Sequence, residues 1–77
     1  MEHREEELIL RYAAQDEHLR ELYREHLELK RQLEDFRHKI YLTPAEELEK
    51  KRIQKLKLAS KDRMMEILNR HQHEVAH

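Results

Sequence analysis

Stepping alternately by four and three residues from Leu8 visits Leu8, Tyr12, Gln15, Leu19, Leu22, His26, Leu29, Leu33, Phe36 and Ile40. Eight of these ten positions are apolar or aromatic, and the exceptions are Gln15 and His26. Charged pairs fill the flanks, as at Arg20-Glu21, Arg24-Glu25, Lys30-Arg31 and Glu34-Asp35. An a/d seam held for more than four heptads predicts one helix over about residues 4–40. The seam stops at Tyr41-Leu42-Thr43-Pro44, where the local chemistry restarts a helix. Thr43 can be the N-cap, Pro44 suits the first helical position, and Glu46 can reach back to the Thr43 N–H as a capping box. Glu46 and Glu47 also favour the positive end of the helix dipole.

The second helix is expected from Pro44 to about residue 70, with residues 71–77 as a frayed tail. One face of it collects Ala45, Leu48, Ile53, Leu56, Ala59, Ser60, Met64 and Ile67, while Leu58 and Met65 lie roughly opposite. A short connection at 41–43 folds the two helices back antiparallel, so that paired residue numbers sum to about 86. Leu33 then meets Ile53, Leu29 meets Leu56, Leu22 meets Met64 and Leu19 meets Ile67. Phe36 extends the interface toward the turn. The polar seam positions also find partners: His26 faces Ser60, and Gln15 faces His71. Buried polar groups need such partners, which supports the register.

Composition narrows the classes. The 77 residues include no Gly, one Pro and no Cys, and 43% are charged. Without Gly, phosphate-cradling loops and tight hairpin turns lack their favoured residue. Without Cys there is no disulfide framework, thiolate metal site or cysteine nucleophile. The longest purely apolar run is Leu8-Ile9-Leu10, so neither a transmembrane helix nor a secretory signal is expected. These counts permit the cytosol without requiring it, and a cytoplasmic protein is the expectation.

Two helices of about 55 and 40 Å, at ~1.5 Å rise per residue, make a thin core. Chains of this size rarely gain more than ~3–5 kcal/mol from a single core, so association is the remaining stabilising route. A homo-oligomer is expected, most simply a dimer forming a four-helix bundle. Tyr23, Leu27, Leu58 and Met65, outside the main seam, would line the second contact. A marginal monomeric hairpin is the plainer reading.

Charge divides the chain. Residues 1–36 carry eleven acidic and six basic side chains, a net of −5; residues 37–77 carry six acidic and ten basic, a net of +4. The densest basic run is 50–57, and Lys50, Lys57 and Lys61 share one outward strip. A nucleic-acid accessory protein is the sharper reading of that strip. A solvated face complementing acidic helix 1 is the plainer one, favoured by the overall charge of −1 and the absence of interleaved aromatics.

Seven histidines are many for this length, and His71, His73 and His77 cluster at the end. If the tail is helical, His73 and His77 are an i, i+4 pair that can share a divalent metal, making these three weak candidates for a metal site. A solvated, frayed terminus is the plainer reading, since tail imidazoles without a supporting shell make a weak, promiscuous site. His26 reads as a register-setting layer residue whose burial makes association pH-sensitive. No cofactor is expected. Catalysis is the poorest class: Ser60, Thr43 and Asn69 are the only Ser, Thr and Asn, and two helices enclose no water-excluding pocket.

Three segments in order carry a family resemblance. They are Glu25-His26 with Leu29 and Leu33, then Tyr41-Leu42-Thr43-Pro44 with Glu46-Glu47, then Arg52-Ile53 through Lys57-Leu58-Ala59-Ser60-Lys61-Asp62. From about Leu19 to Leu68, roughly two-thirds of the chain, the sequence resembles the YdcH family of small bacterial proteins, a domain of unknown function. Ser60 stands where the family commonly has an apolar residue. The resemblance implies a bacterial helix–loop–helix protein and brings no catalytic residues with it. The expectation from sequence is therefore an all-α helical hairpin spanning 1–77 that acts through protein–protein association, with itself and with a further partner.

Overall fold

A computed structural model describes residues 2–75. Three helices are present among the described residues: α1 (His3–Ala13), α2 (Glu17–Arg37) and α3 (Pro44–Val75). α2 and α3 form the antiparallel pair, and α1 folds back over one end of it. The molecule measures 52 × 19 × 16 Å along its principal axes. None of the described helices is long and apolar enough to cross a membrane.

The start of α3 is the capping box expected from the sequence. Thr43 Oγ1 accepts from the Glu46 N–H at 3.1 Å, and Glu46 Oε1 accepts from the Thr43 N–H at 3.1 Å. Lys39 Nζ also reaches the Glu46 carboxylate, tying the turn to the new helix. Hydrogen bonds from Lys39 and the Thr43 backbone hold the Glu46 carboxyl down at about 2. α3 then runs through Val75, so residues 71–75 of the expected frayed tail are helical, and residues 76–77 lie outside the described residues.

The single helix expected over 4–40 is instead two helices and a corner. α1 ends at Ala13, and the Gln15 N–H makes a tight 3.0 Å bond to the Tyr12 carbonyl. Asp16 is extended (φ −125°, ψ 104°), and its Oδ1 caps α2 by accepting from the Leu19 N–H at 3.1 Å. α2 closes at Arg37, before Ile40, which is 92% exposed. The physical reason for the corner lies in the hairpin's own register. A straight helix 1 would set Tyr12 against Glu74 and carry Ile9 and Leu8 further still, past the polar stretch His71-Gln72-His73-Glu74. Folding back gives those apolar residues a partner surface. Ile9 and Ala13 of α1 join Leu19, Leu22, Met64, Ile67 and Leu68 in the core, with Leu8, Tyr12, Tyr23 and Met65 half-buried against it.

Contacts expected with a second copy are thereby made within the chain. Tyr23 and Met65 pack on this core, while Leu27 and Leu58 stay exposed. Toward the turn, burial thins. Leu29 and Ile53 are buried, Leu33 and Phe36 are half-buried, and Leu56 is exposed, against the expectation that all five close one seam. Among the described residues, no segment covers that end as α1 covers the other.

Candidate functional site

The register places His26 on α2 opposite Ser60 on α3, as the pattern required. His26 Nδ1 and Ser60 Oγ are 3.2 Å apart, and both residues are 4% exposed. Ser60 Oγ also donates to the Lys57 carbonyl at 2.9 Å. A carbonyl only accepts, so the hydroxyl proton points there. His26 must then donate from Nδ1–H to the Ser60 oxygen, which fixes its neutral tautomer. Burial pushes the His26 pKa down, and the Lys57 and Lys30 ammonium charges push it further, against hydrogen bonding to the Lys57 backbone.

This layer marks where α1 begins. α1 runs antiparallel to α2, with the Tyr23 hydroxyl donating to Glu6 Oε1 at 2.8 Å. Burial, then the Glu6 carboxylate, raises the Tyr23 pKa to about 12. Glu5 Oε2 is buried with no hydrogen bond, and the Lys61 ammonium sits 3.7 Å from it, in ion-pair range only. Of the three lysines in the basic strip, Lys61 faces Glu5 of α1, Lys57 is half-buried beside His26, and Lys50 is half-buried nearer the turn. Acidic α1 is thus the complement of Lys61.

Beyond the His26 layer a groove of about 410 Å³ opens between α2 and α3, lined by His26, Leu33, Gln54, Lys57, Leu58 and Lys61. It begins at His26 and Lys61, beside the first turn of α1, and runs on toward the turn. Leu58 on its wall is 61% exposed. A second apolar patch, which includes Leu48 and Leu58, is the outer face of α3 alone and encloses nothing.

At the opposite end, Asp16 works twice. Oδ1 caps α2, and Oδ2 accepts from His71 Nε2 at 2.7 Å. The Tyr12 ring stacks on His71 with centroids 5.0 Å apart. The His71 bond, then the Leu19 N–H, lowers the Asp16 pKa. Asp16 therefore takes the place opposite His71 that the pattern gave to Gln15, which is exposed. His71 is committed to Asp16 and Tyr12 rather than to a metal set with His73, and His77 lies outside the described residues. Among the described residues, no group of three or more His, Asp or Glu side chains is arranged to hold a metal ion.

Sequence reasoning missed Asp16 as a cap and Leu68 as a core residue. A signal for Leu68 was present: Met64, Met65, Ile67 and Leu68 give the end of α3 an apolar face too broad for one partner helix. No protein family, curated protein or solved structure matches the chain.

Proposed function

We propose that this chain is a YdcH-like, cytoplasmic, non-enzymatic helical hairpin that works by protein–protein association through its open half. The observation that carries the reading is the groove past His26. It continues the line of α1, it has apolar walls at Leu33 and Leu58, and no segment of the described chain fills it. A helix presenting apolar residues with flanking carboxylates fits it, because α1 occupies the adjoining stretch with that chemistry. A second copy is the simplest source of such a helix.

Two observations argue against neighbouring readings. The His26–Ser60 pair has the residue types of a nucleophile and base, but the serine proton is directed to Lys57 O and the pair is buried. Of the basic strip, Lys61 is paired with Glu5 of α1 and Lys57 is half-buried beside His26, which favours the solvated, charge-complementing reading over a phosphate-binding one. The test is light scattering at micromolar to millimolar concentration, on wild type and Leu58→Glu. A dimer that Leu58→Glu returns to monomer supports the reading. A wild-type monomer throughout removes self-association, and a dimer unaffected by Leu58→Glu removes the groove.

A further inference from the structure

The cradle that α1 occupies is built from α2 and α3, yet α1 is joined to α2 by only three residues, Ala14, Gln15 and Asp16. That corner contains no Gly and no Pro, and no described residue has a positive φ. Ala14 still has helical torsions (φ −62°, ψ −25°). The heptad seam passes through the corner unbroken, from Leu8 and Tyr12 through Gln15 to Leu19. The side-chain pattern and the Ala14 torsions therefore suit a continuous helix from residue 3 to residue 37, and the extended Asp16 is the residue that must turn helical.

We infer that the α1 cradle is also an interface between two copies of this chain: the corner straightens, and each α1 seats in the cradle of the other copy. The contacts that α1 makes with its cradle are kept in the exchange, because the incoming α1 is identical. That includes the buried Ile9 and Ala13, Glu6 with Tyr23, and Glu5 with Lys61. The register closes on itself as well. Glu6 opposite Tyr23 means that paired numbers on α1 and α2 sum to 29. Two straightened helices laid antiparallel in that register put a two-fold axis between Ala14 and Gln15, and a two-fold contact is a closed dimer.

Gln15, one of the two polar exceptions in the seam, then lies beside the axis, where a polar residue fixes register. Straightening also restores the backbone hydrogen bonds that a break between helices forfeits, and it extends an eleven-residue helix that is short to stand alone and has no side-chain cap at its start. Opposing it are the two bonds of Asp16, to Leu19 and to His71. Concentration then sets the balance. This exchange uses a different surface from the groove and does not depend on it.

Glu17→Pro separates the two states. Glu17 is the first residue of α2, where proline is favoured, and Asp16 already has the extended backbone that a following proline imposes. In a continuous helix the same proline loses a hydrogen bond and clashes with the Ala13 carbonyl. The expected result is a wild-type mass that rises from monomer to dimer with concentration, and a Glu17→Pro variant of equal helicity that stays monomeric.

Because the chain has no native cysteine, a Glu6→Cys/Tyr23→Cys variant treated with a short bismaleimide reads the partner directly. Exchange gives links between copies at high concentration and internal links at low concentration. Asp16→Ala, which removes the cap from both corners, should raise the dimerisation constant about tenfold or more. Internal links at every concentration, a Glu17→Pro dimer, or an Asp16→Ala variant with unchanged association would each overturn the exchange.

Discussion

The two ends of this hairpin are made from the same helices and have different interiors. On the α1 side of the His26–Ser60 layer, six large side chains are at most 5% exposed: Ile9, Leu19, Leu22, Met64, Ile67 and Leu68. On the turn side only Leu29 and Ile53 are buried, while Leu27, Leu48, Leu56 and Leu58 are exposed. Each fully buried aliphatic is worth about 1.5–3 kcal/mol over its exposed state, so the three-helix end holds most of the stability. A third helix of eleven residues makes that difference. The turn end is held by local chemistry instead, through the Thr43–Glu46 box, Pro44 and the Lys39–Glu46 ion pair. One end is fixed by packing and the other by capping.

The sharpest way to break this contrast is a pair of matched truncations. Leu19→Ala, at a fully buried position, should cost about 2–5 kcal/mol in urea unfolding, because it removes transfer energy and leaves a cavity. Leu58→Ala, at a 61% exposed position, should fall within about 0.5 kcal/mol of wild type under conditions where the protein is monomeric. Equal costs would show that the turn end is covered in solution.

The boundary layer gives the next largest effect. Ser60→Ala strands the buried His26 Nδ1–H and should cost about 1–3 kcal/mol, whereas His26→Leu/Ser60→Ala removes both partners and should be close to neutral. A double variant as unstable as the single one would mean the layer contributes more than mutual satisfaction.

The same layer predicts a pH dependence. The His26 pKa lies below the usual 6.5 in the folded chain, so the unfolded chain takes up the proton first. Stability is complete above 6.5 and falls as the pH drops from there to the folded value. Lys57 and Lys30 add to this, while Glu6 and the neutral Tyr23 hydroxyl line the same crevice. Wild-type Tm should decline between about pH 7 and pH 5, and the His26→Leu/Ser60→Ala variant should decline less. Parallel curves would locate the titration elsewhere. Asp16 and Glu46, whose pKa values are depressed, act lower: their contribution is present above about 4 to 4.5 and is lost as the pH falls through their folded values.

The smallest effects belong to the surface. Thr43→Ala should cost about 1 kcal/mol, read as a loss of helicity at the start of α3. Arg31→Ala, which removes exposed pairs to Glu28 and Asp35, should leave Tm unchanged.

What the sequence disclosed, and what it hid, follows from how each feature is encoded. The capping box is a four-residue signal with every part adjacent, and it lies where the pattern put it. The His26–Ser60 match follows from one turn and a constant sum, so it was legible at long range. The corner at Asp16 was hidden because the heptad repeat runs straight through it, and because no Pro, Gly or Glu at the third helical position marks the new start. Its cause is not local: the apolar end of helix 1 overshoots the apolar end of α3, and only a comparison of the two lengths exposes the mismatch. Part of the open groove was visible in advance, in Leu58 lying off the main face.

Asp16 also sets a limit on mutational tolerance. Its two oxygens serve two clients, a backbone amide three residues ahead and an imidazole on the far helix. Ser or Thr at this position would satisfy the amide alone. Glu carries two oxygens but is longer by one methylene, and Asn keeps one acceptor and replaces the other with a donor. Sequence drift at position 16 is therefore confined more narrowly than its half-exposed location suggests, and variation there should travel together with variation at position 71.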